Sequence, residues 1–252
     1  MKDLKGKVAV VTGAASGLGR SMALAFASEG MDVALADVDQ TNLSSVADEV
    51  QAKGVRAITL KVDVSQAEQV EAFRDHALAR LGAIHVVCNN AGVSPLGAAW
   101  ENTPADWQWI LGVNLWGVIN GVRAFTPYLI AQNEGHIVNT ASVSGLISPP
   151  GSGAYNATKH AVVALTESIN MEECAHGIRA TSVLPGEVAT PILEKRPVPP
   201  SQDERARMLQ ADDLGKTILF IASLPARACV NELIISPTWN RFYLGGLETP
   251  KA

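Results

Sequence analysis

The stretch Lys7-Val8-Ala9-Val10-Val11-Thr12-Gly13-Ala14-Ala15-Ser16-Gly17-Leu18-Gly19 decides the fold. Its first six residues make a short apolar run, the pattern of a strand buried on both faces. A turn with three glycines follows, and an amphipathic helical pattern, Leu18–Glu29, starts inside that turn. Strand, glycine turn and helix start, in that order, make an anion site. Glycine removes side chains where backbone must approach a pyrophosphate, and the helix end offers unpaired N–H groups and the positive end of its dipole. The spacing is Gly-x-x-x-Gly-x-Gly, not Gly-x-Gly-x-x-Gly. A turn needing glycine only for its geometry is the alternative, but the flanking strand and helix favour a dinucleotide. Gly13, Ser16, Gly17, Leu18 and Gly19 are therefore expected at the pyrophosphate.

Working outward, short runs rich in Val, Ile and Ala recur at Asp32–Ala36, Arg56–Val62, Ile84–Asn89, Gly135–Thr140, Arg179–Leu184 and Glu232–Ile235. Helical patterns separate them: Leu43–Lys53, Ala67–Leu81, Pro104–Gln132, Tyr155–His176 and Asp212–Leu224. Thr41 or Asn42 is a plausible cap for the second helix. Thr103 before Pro104 caps the fourth, with proline at its first helical position. This alternation predicts an α/β fold with a doubly wound parallel sheet and right-handed crossovers. The chain of 252 residues, 47% hydrophobic, suits one domain spanning residues 1–252. Thr190–Arg207 breaks the rhythm with four prolines and many charges. It reads as a long irregular lid, at about residues 188–210.

The second strand leads into Asp37, where a carboxylate can accept from adenosine ribose hydroxyls and repel a 2′-phosphate. A solvated turn or cap residue is the alternative. Ser16 and Val38 carry no charge, so basic selectors for a 2′-phosphate are missing, and NAD(H) is expected over NADP(H). The net charge of −5 and the lack of a basic run argue against nucleic acid and against an anionic membrane surface. No apolar stretch is long enough to span a bilayer. No secretory h-region precedes the first strand, so a cytoplasmic protein is expected. Cys88, Cys174 and Cys229 form neither a disulfide framework nor a metal motif, and no metal is expected.

Tyr155 and Lys159 stand at i and i+4 in a helical pattern and share a face. A free phenol, with a pKa near ~10, is a poor base at neutral pH. A neighbouring ammonium and the positive charge of an oxidised nicotinamide would favour the phenolate. The pair could then exchange a proton with an alcohol or carbonyl as a hydride moves. Ser142, after the fifth strand, could hydrogen-bond the substrate oxygen. On its own the pair is weak: a core tyrosine beside a snorkelling lysine looks the same.

Taken together, Thr12-Gly13-x-x-x-Gly17-x-Gly19, Asp63-Val64, Asn89-Asn90-Ala91-Gly92, Asn114, Ser142 with Tyr155-x-x-x-Lys159, Pro185-Gly186 and Thr190 stand in the order of one family. From Lys7 to about Thr238 the chain resembles the short-chain dehydrogenase/reductase family in its compact form. The resemblance implies a Rossmann-type sheet of seven parallel strands in the order 3-2-1-4-5-6-7. It implies Ser142, Tyr155 and Lys159 as the catalytic triad, Lys159 also binding the nicotinamide ribose, and Asn114 holding a water that relays protons from Lys159. Asp63 and Val64 would contact adenine, and Asn90, Ala91 and Gly92 would line the cofactor. Pro185, Gly186, Val188 and Thr190 would bracket the nicotinamide carboxamide. Homo-oligomers, dimers or tetramers packed through the fourth and fifth helices, are implied too. Two alternatives to the helpers' roles stay open: Asn89 stabilises the sheet edge, and Asn114 only bonds backbone.

The substrate pocket is expected from Ser94–Trp100, Val143–Pro149, Glu187–Leu193 and the lid, with Ser94, Val143, Leu146, Glu187 and Ile192 as contacts. Most of these residues are small or apolar, which suits a moderately hydrophobic secondary alcohol or its ketone. Glu187 is the one nearby charge that could meet a polar substrate group; a solvent-facing role fits it equally well. At least three of Trp100, Trp107, Trp109 and Trp116 are expected to pack helices rather than meet substrate. Many family members end the last strand with an acidic residue and paired glycines. Here Gly245-Gly246 comes well after that strand, and Trp239–Ala252 forms an atypical tail. An NAD(H)-binding sensor on the same fold is the competing function; it has no need of all three triad residues.

Overall fold

The computed structural model describes residues 1, 3–94, 97–196 and 198–239. Seven parallel strands form one sheet: β1 (Val8–Thr12), β2 (Asp32–Asp37), β3 (Ala57–Lys61), β4 (Val86–Asn89), β5 (Gly135–Thr140), β6 (Ile178–Pro185) and β7 (Glu232–Ile235). Their order is β3-β2-β1-β4-β5-β6-β7, as the family resemblance implies. β1 pairs with both β2 and β4, so the strand order reverses beside it and a crevice opens at the carboxyl ends. Every residue of β1, β4, β5 and β6 is buried; β1 is correspondingly apolar up to Thr12, while β5 and β6 also bury polar side chains, His136, Asn139, Arg179 and Thr181 among them.

Helices cover both faces. One face carries α1 (Gly17–Ser28), α2 (Gln40–Gln51) and α8 (Ala211–Ser223), with Met22, Phe26, Met31 and Leu43 in its core. The other carries α3 (Ala67–Leu81), α5 (Gly117–Gln132) and α6 (Gly153–Glu173). There Phe73 of α3 meets Phe125 of α5 edge-on, with ring centroids 6.4 Å apart; such pairs add about 1 kcal/mol beyond their burial. α2 is capped by Asp39, which accepts from the Asn42 N–H. The cap thus lies before Thr41 and Asn42, because the helix begins as soon as β2 turns.

The fourth helical pattern is continuous but not uniform. α4 (Pro104–Ile110) starts with the expected Thr103 cap, closed by a reciprocal Asp106. It passes through a π-helical turn, Leu111–Trp116, and continues as α5. Such a turn inserts one extra residue and re-aims the side chains within it.

The segment after β6 corrects the expectation of an irregular stretch. It contains a 3₁₀ turn, Pro191–Lys195, and the short helix α7 (Gln202–Arg207), capped by Ser201 and Glu204. Its ends meet: the Ala189 N–H donates to the Leu209 carbonyl at 2.8 Å, and the Leu209 N–H to the Glu187 carbonyl at 3.1 Å. Leu193 is buried beneath it. The tryptophans are a second correction. Trp100, Trp109 and Trp116 are exposed, at 84%, 46% and 51%, rather than packed between helices. Leu96, Gly245-Gly246 and the expected tail beyond Trp239 lie outside the described residues. No helix among the described residues is long and apolar enough to cross a membrane.

Candidate active site

A cleft of about 690 Å³ runs along the carboxyl ends of the strands. At one end stand Asp37, Asp39 and Asn42, and in the middle Gly13, Ser16, Gly17 and Leu18. The chain here must be glycine. Gly13 has φ +64°, and a Cβ on it would lie 2.7 Å from Ala91 Cα. A Cβ on Gly19 would lie 2.1 Å from the Gly13 carbonyl oxygen, so Gly19 closes the turn from behind rather than lining the cleft. Ser16 is the N-cap of α1 but makes no side-chain cap bond, and no acidic residue sits in the first turn. That leaves helix-end N–H groups for an anion.

Asp37 is held by backbone. Its Oδ2 accepts from Ala15 N–H and its Oδ1 from Asp39 N–H, each at 3.0 Å. A carboxylate fixed beside the glycine turn fits an adenosine ribose. Asn90 links the strand ends: its Nδ2 donates to the Thr12 carbonyl, its N–H donates to Thr12 Oγ1, and its Oδ1 accepts from Thr140 Oγ1. Ala91, Gly92 and Ser94 continue that wall, with Pro185, Gly186, Val188 and Thr190 opposite.

Asp63 and Val64 do not line the cleft wall. Asp63 Oδ1 accepts from the Ser65 N–H and hydroxyl, and Val64 is buried against Gly117. Asn89 is buried, and its Nδ2 donates to Asn139 Oδ1 across the β4–β5 pair.

The catalytic candidates converge from three elements. Ser142 leaves β5 and caps a 3₁₀ turn, accepting the Ser144 N–H at 3.1 Å. Tyr155 and Lys159 come from the first turns of α6. All three line the cleft. Burial pushes the Tyr155 phenol up, and a hydrogen bond with Ser142 works the other way. Burial pulls Lys159 down to about 8. Its Nζ lies 5.5 Å from the centroid of the Tyr155 ring and donates to the Thr140 carbonyl at 2.7 Å.

Asn114 sits in the π turn, fully buried. Its Oδ1 accepts the Val93 N–H and its Nδ2 donates to the Val93 carbonyl, both at 2.8 Å. Both arms of the amide are thus committed to backbone, beside Gly92, where a Cβ would fall 3.7 Å from Lys159 Nζ.

Of the substrate candidates, Ser94, Val143, Glu187 and Ile192 line the cleft. Leu146 does not; it lies past the 3₁₀ turn and is 39% exposed. The sequence reading missed Arg196, which lines the cleft from the segment after β6 and donates to Glu187 at 3.1 Å. A charge among four prolines resembles a solvated loop residue, so only the opposing position of Glu187 could have flagged it. Burial pushes the Cys88 thiol far up, leaving it inert. Among the described residues no cluster of three or more His, Cys, Asp or Glu side chains is placed to hold a metal ion.

Comparison with known proteins agrees with the fold. The short chain dehydrogenase family model matches residues 7–199. The 3-oxoacyl-[acyl-carrier-protein] reductase FabG of Thermotoga maritima is 33% identical over 225 residues, 87% of this chain and 92% of that protein. A short chain dehydrogenase/reductase of Burkholderia phymatum, solved in complex with NAD, is 40% identical with a TM-score of 0.83, covering 93% of this chain and 90% of that one. An alcohol dehydrogenase of the archaeon Thermococcus sibiricus, complexed with 5-hydroxy-NADP, is 30% identical with a TM-score of 0.85, covering 93% and 98%. With the family model matched over most of its length and these relatives aligned nearly end to end, the chain belongs to the short-chain dehydrogenase/reductase family of oxidoreductases.

Proposed function

We propose that this chain interconverts a moderately hydrophobic secondary alcohol and its ketone with NAD(H). The observation that carries the proposal is one shared wall: Tyr155, Ser142 and Lys159 line the same cleft as the glycine turn and Asp37. A nicotinamide bound along that cleft supplies the hydride acceptor or donor. In oxidation, the Tyr155 phenolate oxygen takes the hydroxyl proton while the carbinol hydrogen departs as hydride; in reduction Tyr155 returns a proton to the carbonyl oxygen. Ser142 orients that oxygen by a hydrogen bond. The Lys159 ammonium favours the phenolate, offsetting the burial that raises Tyr155. It also holds the nicotinamide ribose. Asn114 contributes by clamping Val93, next to Gly92 and Lys159; with its amide so committed, a water relay from the ammonium would pass beside the clamp and not through the amide.

Asp37 makes NAD(H) the better cofactor, since a 2′-phosphate would meet a fixed carboxylate. Pro185, Gly186, Val188 and Thr190 flank the nicotinamide, and Asp63 and Val64 contact the adenine. The chain acts as one domain, residues 188–210 serve as the lid, and the active form is a cytoplasmic homo-oligomer.

The test is a screen of secondary alcohols and ketones followed by NADH absorbance. At least one should turn over, and Tyr155→Phe should cut its kcat by two or more orders of magnitude while NADH still binds. Turnover retained in Tyr155→Phe would sink the assignment.

A further inference from the structure

One charged pair on the substrate side of the cleft has no part in the mechanism above. Glu187 follows Pro185-Gly186 at the end of β6, and Arg196 follows the 3₁₀ turn Pro191–Lys195. Both line the cleft with Tyr155 and Ser142. Arg196 Nη1 donates to Glu187 Oε1 at 3.1 Å. The Glu187 side chain is 9% exposed and that of Arg196 is 31% exposed. The contact is monodentate, and Nε and Nη2 of Arg196 have no partner among the described residues.

A guanidinium is a rigid fork with five donors, matched to the two oxygens of a carboxylate. Glu187 fills one corner, which holds the fork in place without using its capacity. The nearby lining, Val143, Pro149, Pro150, Ile192 and Leu193, offers no side-chain acceptor. Besides Lys159, committed to Thr140 and the tyrosine, Arg196 is the only cation among the described residues that line this cleft.

We infer that Arg196 is a specificity residue, and that the preferred substrates are secondary alcohols or ketones bearing a carboxylate. The carboxylate takes the open edge of the guanidinium while the carbonyl oxygen reaches Tyr155 and Ser142. The inference rests on the dehydrogenase reading above and narrows its substrate class.

The experiment compares 3-oxobutanoate, 4-oxopentanoate, 5-oxohexanoate and 6-oxoheptanoate with their methyl esters, using NADH. At one chain length or more, the acid should exceed its ester in kcat/KM by at least tenfold, mostly through KM. Arg196→Gln should erase that preference, and Arg196→Lys should restore only part of it, because a point charge cannot grip in two places. Acids no better than esters at every length, or a preference that survives Arg196→Gln, would overturn the inference and leave the dehydrogenase reading standing.

If no acid or ester turns over, calorimetric titration of the same acids into the protein with NADH decides the matter. Binding lost in Arg196→Gln, with its melting temperature kept, supports the carboxylate site; no binding, or binding equal in the two proteins, refutes it.

Discussion

Lys159 Nζ donates to the carbonyl oxygen of Thr140 across 2.7 Å, pinning the start of α6 to the end of β5, two residues before Ser142. One bond thus fixes the spacing between the elements that carry the proposed acid/base and its orienting hydroxyl. It also holds an ammonium where burial disfavours its charge, pulled from 10.5 down to about 8.

That cost has a pH signature. Between pH 8 and 10.5 the unfolded chain keeps the Lys159 proton and the folded chain has released it, so folding gains stability as pH rises through that window. Below pH 8 the gain is absent. Lys159→Met has no such term. Its stability relative to wild type should therefore be more favourable at pH 7 than at pH 10.5, by on the order of 2–3 kcal/mol, while turnover is lost. Urea melts at the two pH values read the difference, and a gap that does not change between them contradicts the assignment of a buried, titrating lysine.

Asp37 accepts two backbone N–H groups, so its carboxylate cannot swing away from an approaching 2′-phosphate. Asp37→Ser keeps a small acceptor and removes the charge. The ratio of kcat/KM for NAD to that for NADP should fall by about ten- to hundredfold, a change of roughly 1.4–2.8 kcal/mol in discrimination. Wild type that already uses NADP better than NAD would show the carboxylate is not the selector.

His136 is buried within β5 and is held neutral, its pKa brought down to about 3 by burial and by nearby Arg179. Thr181 Oγ1 donates to the Val230 carbonyl, so its contact with His136 Nε2 at 2.8 Å requires the Nε2–H tautomer, leaving the buried Nδ1 without a partner among the described residues. As pH falls below 6.5 the unfolded chain takes up a proton that the folded chain refuses, and stability drops until about pH 3. His136→Gln should flatten this acid limb. The stability difference between the two proteins should shift by about 3 kcal/mol in the variant's favour from pH 7 to pH 4. Parallel acid limbs would mean that the imidazole already protonates in the fold.

Much of this was legible in the sequence because it rests on short-range pattern. β5, β7 and α3 have the very ends that the apolar runs and periodicity predict. Tyr155 and Lys159 share a face because four residues make one turn, and the glycine turn declares itself by composition. What the sequence withheld depends on contacts between distant segments. The π turn at Leu111–Trp116 keeps the helical apolar period and leaves no mark in composition, yet it sets Asn114 against Val93, 21 residues away. Arg196 gains meaning only when its segment folds back over Glu187. Leu146 lies in a stretch with the right chemistry but on the far side of its turn.

Trp116 is the last residue of the π turn and Trp109 lies in α4 before it, each about half exposed. α6 packs against both elements and exposes Ala164 and, two turns on, Met171 at 77%. Large apolar side chains grouped on neighbouring helices mark a surface that another protein covers. In the proposed homo-oligomer a second copy would supply the same surface by symmetry, each tryptophan facing its counterpart's helices. Wild type should run as a dimer or tetramer in size-exclusion chromatography with light scattering. Trp116→Arg should lower the assembly mass, because a guanidinium at the centre of a dry contact is left unpaired. NADH affinity should hold within a few-fold, since Trp116 does not line the cleft. A wild-type monomer, or an assembly whose mass is unmoved by Trp109→Arg and Trp116→Arg together, would assign these indoles to something other than self-association.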